Sequence, residues 1–538
     1  MFLEARRYVL HLAILTRIGQ ANGGTGPVPV IGRTTGIDQA TGKPPLRMNI
    51  NTLEQEGGPM WSDLTLLGIH GMPYTPYNDV VSVPGGSWGG YCPHQSPQLI
   101  SWHRAYLVLY EEILGDEVQR LAAEYTNNDD APAYREASQK LRLPYWDWAS
   151  DSTLPPSSMR ENISVNGPNG EMTLHNPLYN YRWQTYPLNA TQFPGQGGMG
   201  PVTTRNISRS LDDLTSSIKD SVYRTFSSAT TYDQMASMAG SGSSFESPHN
   251  VIHNSVGGSF LGLDLTSFDA LFMLHHCNLD RLAAMWTASY HDTLQAQPFI
   301  SQGLYSTARG EMITADSPLK PFYQADGKTF HTGRTMAAIE AFGYTYPETP
   351  NEDQGRQEGV IVQINRLYGD LTANQTLTAA STSRREWVVK IQVDRADLQL
   401  PCSIDMYLGD HLAGRTWLLS MPKTGLAHDE LPLSRAISRL GIDSNEPGAI
   451  EKRLVNDLHV QVTKVCSDDT VLDPGDIPSL QATLVGEDVT PPSSESEFPS
   501  YSNRTTVKAI TANTSLALRR GTYRYGAPDA SSGRRQTV

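Results

Sequence analysis

Apolar positions recur at helical spacing over residues 101–114, where Trp102, Tyr106, Leu109 and Ile113 fall on one face. A second helix is expected from Ser267 to Trp286, and Thr266-x-x-Asp269 has the form of a capping box at its start. Between them, residues 150–210 are rich in Pro, Asn and Gly and read as a long loop of the kind that shapes or covers a site. Beyond residue 359 the period changes. Trp387–Val393 and His459–Val465 alternate apolar and polar residues with period two, as antiparallel strands do. The polar stretch 347–358 reads as a linker, residues 491–538 as a Ser/Thr/Pro/Gly-rich tail, and residues 1–24 as a preamble with a short helix. The pattern thus divides the chain into a helical core over 25–346 and a β-rich C-terminal domain over 359–490.

Charge narrows the function. The 538 residues carry 42 Lys+Arg against 56 Asp+Glu, a net charge of −14. That balance argues against partners that need clustered positive charge, so neither nucleic acid nor an anionic membrane is expected. No run of 18 apolar residues is present, and a spanning helix is not expected. Arg6 and Arg7 before Tyr8–Leu15 imitate a secretory signal, but Glu4, His11 and Arg17 interrupt it, so an intracellular, cytoplasmic location is expected and secretion stays open. Four Cys without a C-x-x-C pair exclude a disulfide scaffold, a zinc ribbon and a thioredoxin-like site.

The 14 histidines change the picture most. His70, His94 and His103 cluster early; His249, His253 and His276 cluster later. His249 and His253 stand at i, i+4, which places both imidazoles on one helix face, one turn apart, able to grip one metal. Pro248 suits the first turn of that helix. The expected arrangement is four helices presenting His side chains inward, a four-helix bundle with long loops and a C-terminal β-sandwich-like domain. Two sets of three neutral imidazoles suit copper better than magnesium, calcium or an iron–sulfur centre, although zinc also accepts three His.

These residues carry a resemblance. Cys92-Pro-His94 with Ser101-Trp102-His103-Arg104 and Glu111 resembles the first copper motif of tyrosinases and related type-3 copper proteins. Phe268-Asp269-Ala270-Leu-Phe272-Met-Leu-His275-His276-Cys277-Asn-Leu-Asp280-Arg281 resembles their second, and Tyr344-Thr-Tyr346 resembles the Tyr-x-Tyr signature that closes the catalytic core. Leu99 and Ala270 depart from the usual Phe and Pro without touching a ligand. The β-rich part is similar to the C-terminal domain of long fungal tyrosinases.

The resemblance implies two copper ions with O2 as co-substrate, one copper on His70, His94 and His103 and the other on His249, His253 and His276, with His275 as a packing residue. It implies a thioether from Cys92 to His94, and a water held by Glu246 and Asn250 that deprotonates an incoming phenol. Leu263 would be a gate above the second copper, and Arg104 would pair with Asp280. Cys277, Cys402 and Cys466 are expected as buried thiols, with a meeting of Cys402 and Cys466 left open. The implied activity is ortho-hydroxylation of monophenols and oxidation of o-diphenols to o-quinones, on a small phenolic substrate such as a tyrosine-like pigment, metabolite or peptide precursor. A catechol or o-aminophenol oxidase without hydroxylase activity, a haemocyanin-like oxygen carrier and a zinc-loaded scaffold are the alternatives. The C-terminal domain would either cover the copper pocket until an activating protease acts or be a permanent packed domain. Oligomeric state is left open.

Overall fold

The computed structural model describes residues 27–51, 64–126, 131–205, 211–289, 297–349, 356–369, 383–441, 447–465 and 470–511, apart from positions 87, 169, 212 and 213 within them. The N-terminal preamble, its signal-like stretch and Cys466 lie outside the described residues. Among the described residues, the helices of ten or more residues that build the first part are α1 (Leu99–Ala122), α2 (Ala131–Lys140), α3 (Thr215–Ser228), α4 (Glu246–Val256), α5 (Leu271–Ser289) and α6 (Arg356–Tyr368). None of the described helices is long and apolar enough to cross a membrane.

Helix α1 extends well beyond the expected 101–114, and α5 is buried along almost its whole length. The two cross at the centre of one apolar cluster that also takes in α3, α4 and α6. The capping box expected at Thr266 is not what starts α5. Thr266 lies in a 3-10 turn, Thr266–Phe268, and it is the Asp269 carboxylate that accepts the Leu271 backbone N–H. Helix α4 is short because Gly257, at φ 66°, takes the left-handed conformation that stops it, its N–H donating to the His253 carbonyl.

The long loop before α3 contains a hairpin, β1 (Asn162–Gly167) with β2 (Gly170–His175). Strand β3 (Phe299–Ile300) pairs with β4 (Met312–Ile313), and β5 (Pro318–Tyr323), which packs on α1, pairs with β6 (Phe330–Thr332).

The C-terminal part is a sandwich of two four-stranded antiparallel sheets. One has the order β10 (Leu426–Pro432), β7 (Arg384–Asp394), β13 (Gln481–Thr490), β14 (Ser500–Ala509); the other β12 (Thr470–Leu472), β11 (Leu458–Lys464), β8 (Cys402–Leu408), β9 (His411–Leu418). Period-two residues from both sheets, among them Val389, Ile391, Ile404, Met406, Val462 and Leu484, fill one core. Cys402 is buried in that core.

Two sequence boundaries move. Helix α6 begins at Arg356, inside the stretch read as linker, and its Val360, Ile364 and Tyr368 pack into the helical core. Its apolar period is real but short, and the polar residues around it conceal it. The stretch read as a tail supplies β14, which pairs with β13 through two register shifts, so its alternation is broken and its exposed face is polar.

Candidate metal centre

The six predicted histidines meet at the centre of the helical part, all buried. They do not all come from helices as expected. His103 lies in the second turn of α1, His249 and His253 on α4, and His276 on α5. His70 follows a short helix in a turn, and His94 stands in a loop five residues before α1. Close chain approach fixes those loops. Any Cβ on Gly90 would strike the His70 carbonyl and the Trp88 indole, so only glycine lets the two segments pass.

His70, His94 and His103 form a nearly equilateral triangle, with ring centroids 5.4, 5.5 and 5.7 Å apart. His70 Nδ1 lies 3.1 Å from the Leu263 carbonyl, and His103 Nδ1 lies 2.7 Å from the Leu99 carbonyl. A carbonyl only accepts, so each Nδ1 carries the hydrogen and each Nε2 carries a lone pair. The Nε2 atoms of His70, His94 and His103 are buried and have no hydrogen-bond partner.

The second set is tighter. His253 Nδ1 donates to the Phe260 carbonyl and His249 Nδ1 to the Asn250 side-chain oxygen. Their Nε2 lone pairs then face each other at 3.2 Å, and His276 Nε2 lies 3.3 Å from His249 Nε2. Facing lone pairs repel unless a cation sits between them. His275 brings a fourth imidazole within 4.8 Å of this group while its ring stacks on His249 and packs against Trp148. The two sets adjoin, with the His103 and His276 rings stacked at 4.1 Å.

Burial pushes every one of these histidines below its ordinary pKa, His70 to about 3 and His253 to about 4, and neighbouring imidazoles add to it for all but His253. All six are neutral at pH 7, the form that binds a metal.

Cys92 is buried, with its sulfur within 4.8 Å of ligand atoms of His70 and His94, and it accepts the Trp88 indole N–H at 3.3 Å. Burial raises its thiol pKa, so its free form is not a reactive thiolate. Glu246 accepts from three donors of the chain. One carboxylate oxygen accepts the Gln95 N–H at 2.5 Å; the other accepts the Met238 N–H at 2.8 Å and the Ser237 hydroxyl at 2.9 Å. The Asn250 amide nitrogen donates to the Trp417 carbonyl at 3.1 Å. Leu263 is fully buried and gives its carbonyl to His70.

Under the histidines, Asp280 of α5 accepts from Arg104 and Arg47 and from the hydroxyls of Tyr344 and Tyr346. Burial would raise its pKa, but the two guanidinium groups hold it below the ordinary value. Arg104 and Asp280 thus form a buried pair within a network.

Several functional neighbours were invisible as such in the sequence. Phe272 packs edge-on against His70 at 4.8 Å and lies 4.3 Å from His276; its i, i+4 spacing to His276 was the available signal. The sandwich covers the site with the end of β9 and the residues after it. Trp417 packs into the helical core cluster, Leu418 into the sandwich core, and Leu419 and Met421 against Leu263 and Trp88. Period two sends alternate residues of this segment to opposite sides.

Two convergent sets of three buried imidazoles on a helical core, under a β-sandwich, give the chain the frame of a binuclear metal centre. Residues 63–289 match the family model described as the common central domain of tyrosinase. The chain is similar to a tyrosinase of Podospora anserina, 32% identical over 344 residues, and to polyphenol oxidase 2 of Agaricus bisporus, 30% identical over 329. These matches cover 56% and 57% of this chain and 59% and 58% of the relatives, so the chain spans under two thirds of their length. A solved structure of recombinant mushroom tyrosinase superposes with TM-score 0.74 at 20% identity, covering 89% of this chain and 98% of that one, and so shares the fold through the sandwich. The cofactor of such a domain is a pair of copper ions, and the two sets of converging imidazole nitrogens fit it.

Proposed function

We propose that the chain is a copper-dependent phenol oxidase that oxidises o-diphenols to o-quinones with O2 and hydroxylates monophenols at the ortho position. The observation that carries this reading is the convergence of two sets of three buried imidazoles, with Cys92 beside the first and no carboxylate among the donors, beneath an apolar cover. His70, His94 and His103 would hold one copper, and His249, His253 and His276 the other. When bound, the pair supplies O2 activation and electron transfer. The chain supplies rigid neutral ligands, water exclusion and Glu246 beside the second set. A phenol has a pKa near 10, so a positioned base matters more for monophenols than for catechols. The sandwich would keep the enzyme latent, since Trp417, Leu419 and Met421 occupy the apolar space a substrate ring needs. The test measures copper per chain and O2 uptake with tyrosine and with catechol, before and after limited proteolysis within 347–400. Two coppers and uptake on both substrates, rising after cleavage, are expected. Uptake with catechol alone would reduce the reading to a diphenol oxidase.

We further propose that Cys92 Sγ bonds to a ring carbon of His94 in the matured protein, the thiol S–H and ring C–H bonds breaking as two protons leave and two electrons pass to O2, on the proximity of the sulfur to both histidines. The peptide carrying His94 should show the mass loss of two hydrogens, absent in Cys92→Ser. An unmodified wild-type peptide would refute the bond.

A further inference from the structure

Trp88 was not singled out by any motif, yet three contacts place it at the rim of the first histidine set. Its indole N–H donates to Cys92 Sγ at 3.3 Å, and that sulfur lies beside His70 and His94. Its ring stands edge-on to Tyr74 at 6.0 Å. Its apolar face packs against Leu263, Leu419 and Met421. Leu263 is joined to the same histidine set, because its carbonyl accepts from His70. Trp88 and Leu263 are therefore two adjoining apolar surfaces whose backs are tied to groups of the metal centre and whose fronts face the sandwich.

What stands on those fronts is informative. Leu419 and Met421 follow the end of β9 and present their side chains to this wall, while Leu418 turns to the sandwich core. The segment is held from behind by Arg395, which is buried and donates to the carbonyls of Leu419 and Pro422. The Asp264 carboxylate next to Leu263 is occupied by the Tyr74 hydroxyl. The wall thus offers an incoming molecule aromatic and aliphatic surface, and two aliphatic side chains of the chain itself already use it.

We propose that Trp88 is a specificity-determining residue, forming with Leu263 the wall that takes the ring substituent of a phenolic substrate, so that apolar para substituents are preferred. The proposal rests on the phenol oxidase reading. In it, Leu419 and Met421 hold the place of the substituent. A flat indole and a branched aliphatic chain gain by removing apolar surface from water, and each added methylene on the ligand strengthens binding.

The test uses the copper-loaded full chain carrying L419A/M421A, which clears the wall, with resorcinol and 4-hexylresorcinol as probes in titration calorimetry. The cleared chain should bind the hexyl compound at least about tenfold more tightly than resorcinol. Adding W88A should bring that ratio to within about twofold, while W88F, which keeps an apolar ring but loses the N–H donor to Cys92, should retain most of it. Met421→Ala alone, at the 7% exposed rim position, gives the same comparison if the double variant does not fold. A ratio unchanged by W88A, or no preference in the cleared chain, would overturn the proposal. Preference for the hexyl compound without O2 uptake on catechol would remove the oxidase reading and leave the wall; uptake without preference would do the reverse.

Discussion

At the scale of single residues, hydrogen bonds on the far nitrogen prepare each metal-facing one. His70, His103 and His253 give their Nδ1 hydrogens to backbone carbonyls, which fixes tautomer and ring orientation before any metal arrives. Glu246 is prepared in a different way. Its three donors come from Gln95, next to His94, and from Ser237 and Met238, so the carboxylate ties two loops to α4. Burial raises its pKa. Glu246→Gln should slow turnover of tyrosine more than that of catechol, and should cost about 1–3 kcal/mol of stability because an amide nitrogen cannot accept the Met238 N–H. Steady-state rates on both substrates with thermal melting check this. An equal loss on both substrates would leave Glu246 as a brace only.

At the scale of elements, the histidines stay in register because α1 and α5 are locked beneath them. Asp280 on α5 takes Arg104 of α1 and Arg47 from the N-terminal segment, and Glu111 of α1 takes Arg47 again at 3.0 Å. These groups are buried, so removing one partner strands charge. Asp280→Ala should destabilise the helical part by about 3–5 kcal/mol, seen as a lowered melting temperature and weakened copper retention. A wild-type melting curve would show that the network adds nothing to the packing of the two helices.

At the scale of the whole molecule, the sandwich docks on the helical core through polar groups as well as the apolar cover. Arg224 of α3 meets Glu430 and Glu487, and Arg504 joins them. Asp429 accepts from Ser247, in the first turn of α4, at 2.6 Å and from Thr416 at 2.7 Å. Burial pushes Asp429 up to about 6, against these hydrogen bonds. Its folded-state pKa exceeds the unfolded one, so the folded protein binds the extra proton and this residue's contribution grows as pH falls from above 6 towards 4. Wild type should therefore gain stability relative to Asp429→Asn over that window, by up to about 2–3 kcal/mol. Paired melting curves at pH 7 and pH 5 check it; a constant difference would refute it.

Local chemistry made the metal centre legible. The i, i+4 pair His249/His253 needs only a helix to face one ligand, and Trp387–Val393 needs only period two to declare a strand. Less was readable where long-range contact decides. His70 and His94 reach the site on loops whose paths depend on glycine passing another chain segment. Helix α6 gains its place by packing on the core, and β14 by pairing with β13 across an irregular register. Composition and spacing by themselves determined that this is a helical, all-histidine metal protein with a β-rich second part. Only the tertiary structure decided what covers the metal centre. Residues 417–421 are an ordinary strand end in sequence, and they become a cover because the sandwich docks there and alternation sends Trp417, Leu419 and Met421 towards the core.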